Sequence, residues 1–178
     1  MKKERVRFST SDNPEFFNEL KEKVSNYFKD QNKTKSGSYR IVFKSIIMFS
    51  FYLVPFLLML TGVITSVWAM AISWFIMGLG MAGIGMCVMH DANHKAFSES
   101  KFINSWVGKS MYILGGFPYN WIQQHNNQHH TYTNIDGYDE DIDPGSVMRF
   151  SPHKPLLKFH KYQHIYGWFL YGLMTISW

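Results

Sequence analysis

The chain has 178 residues, of which 46% are hydrophobic and 17% aromatic, and its formal net charge is +5. That basic excess excludes nucleic acid as a partner, because the lysines and arginines flank apolar stretches and carry no interleaved base-stacking pattern. The single cysteine, Cys87, excludes a disulfide framework and a cysteine-built zinc site, and a start that stays polar for about forty residues excludes a cleavable signal peptide of the ordinary kind.

In chain order, residues 1–12 read as an extended lead. Asn13 and Pro14 then supply an N-cap and a first helical residue, with Glu15 in the first turn. The helix that follows to about Lys29 is amphipathic, with Phe16, Leu20, Val24, Tyr27 and Phe28 at helical spacing. Residues 30–38 are a polar linker, and residues 1–40 as a whole read as a cytoplasmic amphipathic region.

From Ser45 through Met89 there is no Asp, Glu, Lys, Arg or His. The run would make roughly 68 Å of helix at 1.5 Å per residue, about twice a hydrocarbon core, so it predicts two spans joined by a tight turn. The spans are placed at about 41–60, with Pro55 as a kink site, and about 67–89, with the turn over Thr61-Gly62 and Thr65-Ser66. Gly78, Gly80, Ala82, Gly83 and Gly85 give the second span a small-residue face, read as close helix packing or as room for a lipid chain. Lys21, Lys23, Lys29, Lys33, Lys35, Arg40 and Lys44 precede the spans, and Lys95, Lys101 and Lys109 follow them, so both flanks are assigned to the cytoplasm.

Residues 102–122 read as a helix at the interface, because Asn104, Lys109, Gly115-Gly116 and Pro118 interrupt the apolar pattern. Trp106, Tyr112, Tyr119 and Trp121 are its aromatic belt. A third apolar segment begins near Gln163 and reaches Trp178, short of the roughly twenty residues needed to cross. The expectation is the N-terminal part of a longer all-α integral membrane protein, a transmembrane hairpin under a histidine-rich cytoplasmic cap.

Five of the eight histidines fall between positions 90 and 130. His90 and His94 project from one face if the second span continues as helix, while His125, His129 and His130 cluster in six residues. On an α-helix His125 shares a face with His129, and His130 points about 100° away. Imidazoles in this number favour a polynuclear metal site, with Asn126, Asn127 and Gln128 as partners for the rings. A zinc hydrolase would want His-Glu-x-x-His, and Asp91 stands in the second place. Iron suits imidazole-rich sites that leave positions open to dioxygen.

The sequence His90-Asp91-Ala92-Asn93-His94-Lys95-Ala96-Phe97-Ser98 resembles the first histidine box of the membrane fatty-acid desaturases, and Gln124-His125-Asn126-Asn127-Gln128-His129-His130 the second. The likeness continues through Thr131-Tyr132-Thr133-Asn134-Ile135-Asp136 and Tyr162-Gln163-His164, and is similar above all to bacterial acyl-CoA desaturases of the linoleoyl-CoA, front-end type. The resemblance implies two non-haem iron ions held by His90, His94, His125, His129 and His130 among others, and dioxygen as oxidant. It further implies an acyl-CoA or lipid-linked fatty acyl substrate, a lipid bilayer, commonly the bacterial inner membrane, and a cis double bond as product. With no N-terminal His-Pro-Gly-Gly haem motif, the electron donor is expected to be a separate ferredoxin or cytochrome, unless one is fused beyond residue 178. The family's third box is absent from these residues, so the chain alone is expected to be inactive.

The rivals are a fatty-acid, alkane or carotenoid oxygenase on the same scaffold and, more distantly, a membrane metal transporter, which the carboxylate-free spans disfavour. Asp139, Asp141 and Asp143 before Gly145 do not fit an EF-hand, since Pro144 and Phe150 stand where Gly and Glu are needed. The acidic loop reads as a solvated turn, with the lesser reading that Asp139 or Asp143 orients a histidine or a nearby basic residue. His160 and His164 are read as interfacial and His153 as a loop residue. Lys95, Lys101, Lys109, Arg149, Lys154 and Lys158 are suited to meet phosphates of lipid headgroups, the default beside a span, or of coenzyme A, and none is assigned as a substrate contact.

Overall fold

The computed structural model describes Val6, Phe8 and residues 14–173. The extended lead, the Asn13 cap and the end of the third apolar segment lie outside the described residues, those two positions apart. The chain divides into two compact units, Met1–Lys35 and Ser36–Trp178. In the first, α1 (Pro14–Asp30) has Glu15 in its first turn and Lys29 in its last, charges that complement the helix dipole. None of its residues is buried, and Phe16, Phe17, Leu20 and Val24 stand exposed.

In the second unit α2 (Tyr39–Leu60) starts at Ser38, whose hydroxyl accepts the Arg40 N–H at 3.3 Å, and runs through Pro55 to Thr61. Ser45 and Ser50 return their hydroxyls to the carbonyls four residues back at 2.7 Å, so neither presents an unpaired polar group to an apolar surround. Gly62, at φ 73°, makes the left-handed step that turns the chain back. Then α3 (Val67–Gly83) continues as a π-helical turn over Ile84–Met89 and closes with α4 (His90–Asn93). Tyr39–Leu60 and Val67–Asn93 are each long and apolar enough to cross a membrane. Only 11% of the most apolar stretch of the first is buried within the protein, whereas a soluble core helix would be mostly covered. With Trp68, Trp74 and Phe75 also outward, these are lipid-facing surfaces of an all-α membrane protein.

The hairpin closes through its glycines. A Cβ on Gly80 would lie 2.7 Å from the Tyr52 backbone nitrogen, and one on Gly83 would enter the Met48 side chain, whereas Gly78 faces open space. Close packing therefore accounts for Gly80 and Gly83 but not for Gly78.

The cap is built from short helices. α5 (Lys101–Gly108) is capped by Ser100, passes into a 3-10 turn over Lys109–Leu114, and stops at Gly115 with φ 82°. α6 (Pro118–Trp121) leads without a break through a π-helix over Ile122–His129 into α7 (His130–Tyr132). After 3-10 turns at Glu140–Ile142 and Lys158–Tyr162 comes α8 (Gln163–Gly172). Among the described residues there is no strand. Ile84, Val88, Ala92 and Phe97 form one buried cluster, joined by Ile41, Met48 and Leu114, and Met89, Met111 and Trp121 form a second. Both lie where the second span emerges, so the end of α3 and the strip from α5 to α6 brace each other.

Candidate metal centre

The first histidine pair stands at the end of the second span. The π-helical turn over Ile84–Met89 leads straight into His90, and the rings of His90 and His94 lie 4.5 Å apart centre to centre. The helix ends at Lys95, which takes the left-handed conformation at φ 62° while its N–H and that of Ala96 return to Ala92 and Asp91. Asn104, buried in α5, both accepts from and donates to the backbone of Ser98, fastening the segment behind the pair.

The second group arrives on the other π-helix. Hydrogen bonds from i to i+5 widen the turn, so the residue five positions on, which an α-helix would turn away, comes round to the same side as the first. His125 and His130 accordingly face each other, with their Nε2 atoms 3.3 Å apart. The two boxes are tied directly, since the Asn126 side-chain amide donates to the Asn93 carbonyl at 3.1 Å. His94 lies 5.3 Å from His125 and 4.8 Å from His130 between ring centres. Ligand atoms of His90, His94 and His125 all fall within 4.8 Å of one another, as do those of His129, Asp139 and Asp141. Trp121 lies under this group, stacked on His125 at 4.4 Å and edge-on to His90 and His94.

Carboxylates face three of the five rings, each on the Nδ1 side. Asp91 is 3.2 Å from His90, Asp141 is 3.5 Å from His125, and Asp139 reaches His129 with both oxygens, at 3.0 and 3.1 Å. An ionised carboxylate only accepts, so at His90 and His129 Nδ1 carries the proton and Nε2 is left with its lone pair, whereas Asp141 stands too far from His125 to do the same. Burial alone would push the Asp139 carboxyl up, but N–H donors from His129, Asn134 and Asp141 outweigh it and hold the group below its ordinary range. Burial, then the neighbouring His90, His130 and His125, drives His94 down to about 4 against an opposing pull from Asp91. Burial and His130 likewise lower His125. Neutral imidazoles are the ligand form.

The donor set fits a transition metal. Two nitrogens on one ion with metal–nitrogen bonds near 2.0–2.1 Å stand about 2.9–3.4 Å apart, and the His125–His130 separation of 3.3 Å is within that range. The Nε2 of His94 is buried without a hydrogen-bond partner, a cost that metal ligation would remove.

Residues 65–178 match the profile of the fatty acid desaturase family. The chain belongs to that family. It is 29% identical to an acyl-lipid (8-3)-desaturase of Physcomitrium patens over 99% of its own length and 37% of that protein's. It is 28% identical to an sn-1 linoleoyl-lipid 6-desaturase of Arthrospira platensis, over 92% and 44%, and 31% identical to an acyl-lipid (8-3)-desaturase of Mortierella alpina, over 91% and 37%. The chain thus spans less than half the length of these relatives. No solved structure matches it.

Several sequence expectations change within this desaturase-family fold. For the acidic loop the lesser reading holds over the solvated turn: Asp139 is 1% exposed, and it, not an amide, is the partner of His129. Asn126 and Asn127 direct their amides to Asn93 and Gln123 instead. Asp143 meets Lys154 at 3.0 Å. Trp121, expected in an interfacial belt with Trp106, Tyr112 and Tyr119, is buried beneath the histidines while the other three stay exposed. His160 is also buried, accepting the Leu157 N–H on Nδ1 and donating from Nε2 to Ser146, so both nitrogens serve the loop. His153 and His164 are exposed.

Proposed function

We propose that the full-length protein is a membrane fatty acyl desaturase that places a cis double bond in an acyl chain. Residues 41–178 are then the N-terminal part of its catalytic domain. The observation that carries this reading is the convergence of His90, His94, His125 and His130 at the mouth of the second span, with His129 turned to a buried carboxylate beside them. These five residues would hold iron, two ions in all, together with ligands from a third box elsewhere in the full-length protein. Bound iron would supply the activation of dioxygen that an unactivated C–H bond requires. In the overall balance two hydrogens leave adjacent carbons, and with two electrons and two protons they reduce one dioxygen to two waters.

This chain's own residues hold and orient. The low proton affinity of His94 and His125 keeps both rings neutral, Asp91 and Asp139 direct the Nε2 atoms of His90 and His129 inward, and Trp121 shields the group from below. A cleft of about 600 Å³ opens beside His125 between Trp121, Met148, Phe150 and Leu170, an apolar wall suited to an acyl chain. The lysines around the spans support a cytoplasmic site, and the wording of the boxes favours a bacterial inner membrane. The donor of electrons is a separate ferredoxin or cytochrome. For the acyl carrier, the relatives' names point to a lipid and the box wording to coenzyme A.

The test is gas chromatography–mass spectrometry of fatty acids from a host expressing the full-length protein or its His129→Ala and His130→Ala variants, resolved into lipid and coenzyme A fractions. A new double bond that both variants abolish is expected, and the fraction in which it first appears identifies the carrier. Oxygen retained in the lipid would instead identify a hydroxylase on this scaffold.

A further inference from the structure

The loop after the second histidine group converges on one carboxylate. Asn134 takes a left-handed conformation at φ 62°, which turns its N–H onto Asp139 Oδ2 at 2.8 Å. The Asp141 N–H meets Oδ1 at 3.0 Å, and the Asp139 N–H returns to the Ile135 carbonyl at 3.0 Å. Thr133 ties the start of the loop to the His129 carbonyl at 2.6 Å. The Asp139 side chain is wholly buried, and its remaining donor is His129 Nδ1.

We propose that Asp139 is the positioning residue for His129, a buried carboxylate whose bond to Nδ1 selects the ring tautomer and aims Nε2 at the metal. The inference rests on the reading of His129 as an iron ligand. Two alternatives are weaker on geometry. Direct ligation by Asp139 would compete with three N–H donors that already take up its oxygens. Asp141, although near both His125 and His129, stands at 3.5 and 3.4 Å and is one-third exposed, too distant and too wet to set a ring. The π-helical register adds a reason for a dedicated anchor: once His125 pairs with His130, His129 has no partner ring closer than 5.3 Å between centres to fix its angle.

The test uses the full-length protein in detergent, titrated anaerobically with ferrous iron, with bound metal counted by inductively coupled plasma mass spectrometry. Asp139→Asn is expected to weaken loading of one iron by about 10–100-fold, the usual cost of losing such a partner. Asp141→Asn is expected to weaken it by less than about threefold, and Asp139→Asn to add less than about twofold in a His129→Ala background, because the effect passes through that ring. An equal loss in the His129→Ala background overturns the proposal, as does full loading of Asp139→Asn. Wild-type protein that binds no iron defeats the desaturase reading instead. Since Asp139 also holds two backbone amides, the wild type offers a second readout that needs no change to the loop. In ¹⁵N-histidine spectra, His129 is expected as the Nδ1–H tautomer, and an Nε2–H tautomer overturns the proposal.

Discussion

His94 shows how a side chain can be tuned by what surrounds it. Its Nε2 is buried, and three imidazoles stand close by, so the proton it would carry near 6.5 in the open chain is held in the fold only near pH 4. The folded state thus binds fewer protons than the unfolded one between those values. The corresponding stability is present above about pH 6.5 and is lost as pH falls toward 4. Metal-free protein in detergent should melt at progressively lower temperature across that window, and His94→Gln should flatten the decline. Trp121 makes a second residue-scale case. Truncating it to Ala should cost about 3 kcal/mol because it leaves a cavity under the histidines, whereas Trp106→Ala, at an exposed ring, should cost under about 1 kcal/mol. Chemical denaturation in detergent distinguishes the two. The clustering of the histidines was legible because they are near neighbours in the chain. The place of Trp121 was not, since an aromatic near a membrane looks ordinary until burial is known, and Asp139 was legible only as the lesser of two readings, because an acid in a polar loop is more often solvated.

Among the elements, the hairpin was legible and the helix type was not. A run without charge determines that two spans exist, and the observed Tyr39–Leu60 and Val67–Asn93 extend the expected spans by two and four residues. Nothing in the apolar pattern marks Ile84–Met89 or Ile122–His129 as π-helical. That difference has chemical weight: α-helical spacing pairs His125 with His129, while the wider turn sets His125 opposite His130 and leaves His129 for the acidic loop. The glycines of α3 divide on the same ground, by what packs against each. Gly80→Leu should destabilise the hairpin by about 2 kcal/mol or more, because its Cβ meets the backbone of α2, and Gly78→Leu should change it by under about 1 kcal/mol. Unfolding of the purified protein in mixed micelles checks the pair, and equal effects would remove the close-packing explanation.

Over the whole molecule, two spans carry a cap in which residues far apart in the chain meet, Asn93 with Asn126 and His90 with His125. If further ligands come from outside these residues, then residues 1–178 expressed alone should insert into the membrane and yield no new double bond, while the full-length protein yields one. Product from the fragment would show that five histidines suffice. The sequence by itself determined what depends on residue type and short spacing: the membrane class from the absence of charge, a candidate metal site from the histidines, and the family from the two boxes. Only the tertiary structure decided which imidazoles face each other, that Trp121 lies beneath them, and that Asp139 is buried against His129. Those facts turn on helical register and on how the loop of residues 133–141 folds back, and both are set by packing between segments rather than by any local pattern.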